Sequence, residues 1–164
     1  MTFEEYVATR LPSLLRYAVM LTGDPHVAED VVQDTMVRAY GHWRRIQRAD
    51  HPDRYVKRMV TNTFLSWRRA GWRRRAVPYA VMPDVPVGDA SESSALRLEM
   101  WVRLGQLPSR QRAALVLRYD EDLPDAEIAD VLGCAVGTVR SQISRALETL
   151  RLAMRVPNGV NHDR

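Results

Sequence analysis

The stretch DAEIADVLGCAVGTVRSQISRALETLR, residues 125–151, decides the fold. Ile128, Ala129 and Leu132 recur at helical spacing. Gly133 then supplies a stop, since glycine takes a left-handed cap without steric cost. A second helix is predicted from about Val136 to Leu150. Val139, Ile143, Leu147 and Leu150 form its apolar stripe, while Thr138, Arg140, Ser141, Ser144 and Arg145 occupy the opposite face. A major-groove reader needs this division: one face anchors the helix, and the other offers short polar groups and arginines to base edges and phosphates. An ordinary helical hairpin with a solvated basic face would carry the same pattern.

The whole chain has 164 residues and a net charge of +4, which permits a nucleic-acid partner without requiring one. Its cations are 23 arginines and one lysine, Lys57. The single Cys134 excludes an internal disulfide and a cysteine-rich zinc site, and it fits a reducing cytoplasm. No apolar run approaches the roughly 20 residues of a membrane span, and MTFEEYVATR has no apolar signal core. A cytoplasmic chain without membrane insertion is expected.

Composition changes over residues 77–94, VPYAVMPDVPVGDASESS, where Pro78, Pro83 and Pro86 break any helical period. This segment has three acidic residues and no basic one. Residues 1–76 carry 14 basic and 8 acidic residues, whereas residues 95–155 carry 9 and 8. The expected organisation is therefore a helical module at 1–76, an extended acidic linker at 77–94, a second helical module at 95–155 and a tail at 156–164. Every module reads as helix, so the fold class is all-α.

In the first module, Thr2 and Glu5 fit a capping box for a helix to about Thr22, which Pro12 should kink or split. Asp24 suits an N-cap and Pro25 the first turn of the next helix, predicted to run to about Trp43. Glu29, Asp30, Gln33 and Asp34 fall on the side opposite its apolar face. They suit a solvated surface or docking on a basic partner. Asp50 or His51 can cap a further helix from Pro52 to about Ala70. Its apolar stripe includes Tyr55, Val56, Met59, Val60, Thr63 and Phe64. Arg54, Lys57, Arg58, Arg68, Arg69 and Arg73–Arg75 surround it, with Trp67 and Trp72 interleaved. Aromatics among arginines suit single-stranded DNA, where bases stack and phosphates pair with cations. They equally suit a basic helix with two anchoring tryptophans. In the second module, Leu96, Met100, Leu104 and Leu107 begin a stripe. Pro108-Ser109 stops it and caps a helix over 110–119, and an acidic loop fills 120–123.

No catalytic arrangement emerges. His26, His42, His51 and His162 have no ligand spacing with Cys134 or paired carboxylates, and no glycine loop suits a phosphate cradle. No enzyme activity and no cofactor or metal are expected.

Three segments together resemble the bacterial sigma-70 family, in its small extracytoplasmic-function (ECF) group and its actinobacterial SigE-like branch. LTGDP at 21–25 with AEDVVQDTMVRAY at 28–40 is similar to that family's polymerase-binding helix. PDRYVKRMVTNTFLSWRR at 52–69 is similar to its promoter-melting helix. LPSRQR at 107–112 with residues 126–151 is similar to its upstream-promoter reader. The resemblance implies core RNA polymerase and promoter DNA as partners, the DNA both duplex and melted non-template strand. Asp30, Gln33, Asp34 and Val37 would dock on the clamp of the largest subunit, and the second module would meet the flap of the second-largest. Asn62 would sit at a pocket for a base flipped from the minus-ten element, with Ser66 and Trp67 beside it and Arg58, Arg68 and Arg69 on phosphates. Thr138, Arg140, Ser141, Ser144 and Arg145 would face the minus-thirty-five element. The linker would thread towards the polymerase cleft, and an anti-sigma factor would be a further partner. Two positions depart from the family. Pro124 replaces the usual Ser or Thr cap, and Ser144 replaces a larger reading side chain. A self-sufficient dimeric helix-turn-helix regulator is the alternative, and it would need a dimer surface that the sequence does not offer. A helical module binding an acidic protein is a third class.

Overall fold

The computed structural model describes residues 1–70, 99–100 and 102–155. The expected linker, the tail, Trp72 and Arg73–Arg75 lie outside the described residues. Among the described residues the regular structure is entirely helical.

Helix α1 spans Phe3–Thr22. Its capping box is formed: the Glu5 amide donates to Thr2 Oγ1 at 3.1 Å, and the Thr2 amide donates to Glu5 Oε2 at 2.8 Å. Of the expected kink or split at Pro12, the split is corrected, for α1 continues through it. Pro12 is exposed, and so is Ala8, whose carbonyl loses its usual donor and can be solvated instead. Gly23, at φ 73°, ends α1 in the left-handed conformation. Asp24 Oδ1 then accepts from the amides of His26 (2.9 Å) and Val27 (3.4 Å), capping α2, Pro25–Gly41.

Helix α2 stops short of the expected Trp43. His42 leaves helical geometry, and a separate turn, α3 (Trp43–Ile46), follows. The break lets Trp43 turn inward against the rings of Phe3 and Tyr6, at 5.6 and 4.9 Å between centroids. Helix α4 spans Pro52–Arg69. Neither Asp50 nor His51 caps it: His51 holds the cap position without a side-chain bond. Pro52 at the start and Asp53 in the first turn favour that end instead.

The rotation of α4 about its axis is set by buried hydroxyls. Tyr17 Oη and Thr61 Oγ1 share a hydrogen bond of 2.7 Å between α1 and α4. Thr35 Oγ1 donates to the Val31 carbonyl at 2.7 Å and lies 3.2 Å from Thr63 Oγ1, between α2 and α4, where the Thr63 hydroxyl can donate to it. Thr61 faces one neighbour and Thr63 the other.

In the second module, residues 99–100 and 102–106 are helical, and Leu107 is buried beneath the turn that follows. Helix α5 spans Ser109–Tyr119. Pro108 takes its cap position, so Ser109 is the first helical residue rather than the cap. Helix α6 spans Asp125–Leu132 and ends at Gly133, φ 65°; helix α7 spans Val136–Arg155. Val139, Ile143, Ala146 and Leu150 of α7 are buried, and Leu147 is half-buried.

The two modules pack on each other, α1 against α5 and α4 against α6, and their buried residues form one continuous cluster. Arg112 of α5 is only 5% exposed. Its Nε donates to the Leu21 carbonyl (2.8 Å) and its Nη2 to the Thr22 carbonyl (3.0 Å), both at the C-terminal end of α1. Its Nη1 donates within its own module, to Gly105 at 3.0 Å. The last turn of α1 has no basic residue of its own, so Arg112 supplies the positive charge that this end favours.

Tyr17→Phe keeps the ring but removes one buried hydrogen bond. It should cost about 1 kcal/mol, seen as a lower urea midpoint with an unchanged slope. Gly133→Ala meets no steric obstacle but forces a side chain to positive φ. It should cost on the order of 1 kcal/mol in the same assay, and Gly133→Asn less.

Candidate nucleic-acid interface

Asn62 lies between the two buried threonines of α4 and is exposed. Successive helical residues are about 100° apart. Turning Thr61 towards α1 and Thr63 towards α2 therefore points the residue between them outward. Arg54, Arg58, Ser66 and Arg69 follow at three- and four-residue spacing, and all are exposed; Arg68 is exposed beside them. The amide of Asn62 both donates and accepts, so it can pair with a base edge, while the guanidinium groups suit phosphates.

Trp67 is placed differently from its neighbours. It is half-buried against the core, and its Nε1 donates to Asp34 Oδ2 at 3.3 Å. The same Asp34 oxygen lies 3.4 Å from Arg38 Nη2. Trp67 thus anchors α4 to α2. Asp34 is also engaged within the module, whereas Asp30 and Gln33 are exposed. Val37, one turn further along α2, is 70% exposed, and Tyr40 beyond it is 64% exposed. Tyr40 is an addition that the sequence reading missed. Its ring meets Phe3 edge-on at 5.2 Å. The outer face of α2 therefore exposes Asp30, Gln33, Val37 and Tyr40, with Arg38 beside them.

On α7, Thr138, Arg140, Ser141, Ser144 and Arg145 are all exposed on one side. Asp125 is the first residue of α6, after Pro124 in the cap position. Its carboxylate does not cap α6. It forms ion pairs with Arg118 of α5 and with Nε of Arg140 (3.2 Å), joining three helices. Arg140 remains 72% exposed, so it is oriented without being withdrawn. That tether was not legible in the helix spacing, because its three residues come from three elements.

Lys57 lies on the flank of α4. Its Nζ is 2.6 Å from Glu121 Oε1 and 5.3 Å from the centre of the Tyr17 ring. Burial pushes the Glu121 carboxyl above the usual carboxylate range, and the Lys57 hydrogen bond and charge pull it back only in part. Among the described residues, no group of three or more His, Cys, Asp or Glu side chains could hold a metal ion, and no helix is long and apolar enough to cross a membrane.

Known proteins share this arrangement. Residues 6–74 match Sigma-70 region 2, and residues 97–150 match Sigma-70, region 4. An RNA polymerase sigma-E factor of Streptomyces coelicolor is 40% identical over 149 residues, covering 91% of this chain and 84% of that protein. The ECF RNA polymerase sigma factor SigL of Mycobacterium tuberculosis is 33% identical over 156 residues, covering 93% and 86%. Among solved structures, the sigma factor RpoE in complex with the anti-sigma factor NepR from Bartonella quintana is similar with a TM-score of 0.68 at 25% identity. That match covers 95% of this chain and 98% of the other. With both regions matched in order and the relatives aligned over most of their length, the chain belongs to the sigma-70 family of RNA polymerase sigma factors, in the ECF group.

Proposed function

We propose that this ECF sigma factor works as a two-point promoter reader with no chemistry of its own. It binds core RNA polymerase and directs promoter-specific initiation of transcription. The outer face of α2, with Asp30, Gln33, Val37 and Tyr40, docks on the clamp of the largest subunit, and Asp34 keeps α4 in register beneath it. The module at residues 1–76 takes the melted minus-ten strand on α4. Asn62 meets a flipped base, Ser66 lies a turn further on, and Arg58, Arg68 and Arg69 hold phosphates. The module at 95–155 grips the minus-thirty-five duplex through Arg140, Ser141, Ser144 and Arg145, with Thr138 near the backbone, and meets the polymerase flap. The cytoplasm follows as the compartment, because polymerase and promoter are there. An anti-sigma partner that covered Val37 and Tyr40 would compete with polymerase for the same apolar anchor.

One observation carries this reading: Asn62 is presented outward between two buried, hydrogen-bonded threonines, on a helix edged with exposed arginines. Run-off transcription with purified core polymerase tests it. Promoter-specific transcripts should depend on this chain, and their absence from every candidate upstream region would sink the reading. Within that assay, Asn62→Ala should reduce open-complex formation about tenfold while leaving upstream duplex contact nearly intact, in line with about 1–3 kcal/mol per specific base contact. Arg140→Ala should do the reverse; equal effects of both on both steps would dissolve the division of labour. Val37→Asp leaves an exposed position exposed, so it should spare stability. It should weaken binding to core polymerase about tenfold or more in a direct binding assay.

A further inference from the structure

Arg140 stands at the edge of the exposed face of α7, about 40° around the helix from Ser144. Its Nε donates to Asp125 Oδ2 at 3.2 Å. The other oxygen of Asp125 is paired with Arg118, from the last turn of α5. The Asp125 side chain is 20% exposed and that of Arg140 is 72% exposed. Neither Pro124 nor Asp125 caps α6 by a side-chain bond, so both Asp125 oxygens remain for the two arginines. A carboxylate held from the core side thus grips an arginine that is otherwise in solvent.

An ion pair with so exposed a partner adds little to stability, so fastening α6 to α7 is not its main effect. Nor does it favour phosphate, because a carboxylate beside Arg140 weakens the pull of the guanidinium on an anion. What the contact supplies is direction. An untethered arginine samples many rotamers, and holding it before binding reduces the ordering that binding requires. Direction matters at a base edge, where two acceptors must be met in line. It matters far less at a phosphate, which positions without carrying sequence information. With Nε held, the Nη1 and Nη2 groups remain, and two parallel N–H bonds from them match O6 and N7 of one guanine. We infer that Asp125 is a positioning residue for promoter selection: it aims Arg140 at a guanine of the minus-thirty-five element, while Arg118 holds the carboxylate in place. The inference rests on the role proposed above for α7, and adds to it which base Arg140 reads and what sets its aim.

The test uses holoenzyme assembled from core polymerase and the full chain, with a promoter that it transcribes and a randomised minus-thirty-five element. Bound fragments are sequenced, and the enrichment of each base is read at each position. The unsubstituted chain should enrich guanine at one position that Arg140→Ala makes indifferent. Asp125→Ala should cut the enrichment at that same position about fivefold or more, within the range that one bidentate base contact supplies, and leave the other positions within about twofold. Its affinity for a scrambled duplex should hold or rise, because an anion has been removed from near the phosphates. Asp125→Glu keeps the carboxylate and should recover part of the selection. Glu127→Gln removes a carboxylate from the same first turn of α6 and should leave the selection whole, although it weakens that helix end in a similar way. Arg118→Gln loosens the carboxylate from the α5 side and should lower the same enrichment by a smaller factor, which keeps the test decisive if Asp125→Ala folds poorly. The positioning role is overturned if Asp125→Ala keeps the full enrichment, or loses it evenly at every position as a damaged helix pair would. Loss confined to a base other than guanine would overturn the guanine assignment. If Arg140→Ala changes no position at all, the proposed role of Arg140 itself fails, and that result is distinct from a failure of Asp125 alone.

Discussion

Two hydroxyl pairs, Tyr17 with Thr61 and Thr35 with Thr63, fix how α4 is turned, and the first module's surface chemistry follows from that angle. A purely apolar contact between helices tolerates small rotations, because dispersion and burial are not directional. A buried hydroxyl does not, since losing its partner leaves a polar group without hydration. Two such bonds on opposite flanks of one helix therefore define the angle from both sides. Asn62, Arg58 and Ser66 face outward as a consequence, and Trp67 is turned back onto Asp34.

Much of this architecture was legible in the residue pattern. The capping box at Thr2 and Glu5, the Asp24-Pro25 start, the Gly133 stop and the exposed face of α7 are all local features, and local rules reach them. What escaped were consequences of tertiary contact. Pro12 was expected to kink or split α1, and the helix is not split there, because the spacing of residues does not say which side of a helix meets water. Asp50 or His51 was expected to cap α4, yet neither does, and Pro52 and Asp53 favour that end instead. The Asp125 tether to Arg118 and Arg140 joins residues up to 22 positions apart, and Arg112 reaches 90 residues back to Thr22. Tyr40 could have been found, since it continues the spacing of Gln33 and Val37 by a further turn. Lys57 carried a compositional hint as the single lysine among arginines.

The surface carries its charge in separate places. Acidic Glu29 and Asp30 precede the exposed Val37 and Tyr40 on α2, while cations edge α4 and the exposed face of α7. Opposite signs on adjoining faces favour one orientation of docking over its reverse, and they do so before close contact is made. The Asp125 carboxylate shows a related economy on α6: placed at a helix N-terminus that favours negative charge, it also pairs with the exposed Arg140 side chain of α7.

Closure of the two modules through Arg112 also has a thermodynamic consequence that reaches every promoter alike. A binding-competent form that is populated only in part lowers each apparent affinity by the same fraction. Tethering makes the modules' contact intramolecular, with an effective concentration that short tethers raise to the millimolar range. If the modules part on promoter binding, as the proposed two-point reading requires, the strength of this closure would act as a gain setting. Weakening it would raise occupancy at strong and weak promoters by a common factor, whereas changes at the proposed reading residues Asn62 or Arg140 would alter their rank. Threshold and selectivity can then be adjusted independently by substitutions in different parts of the same small chain.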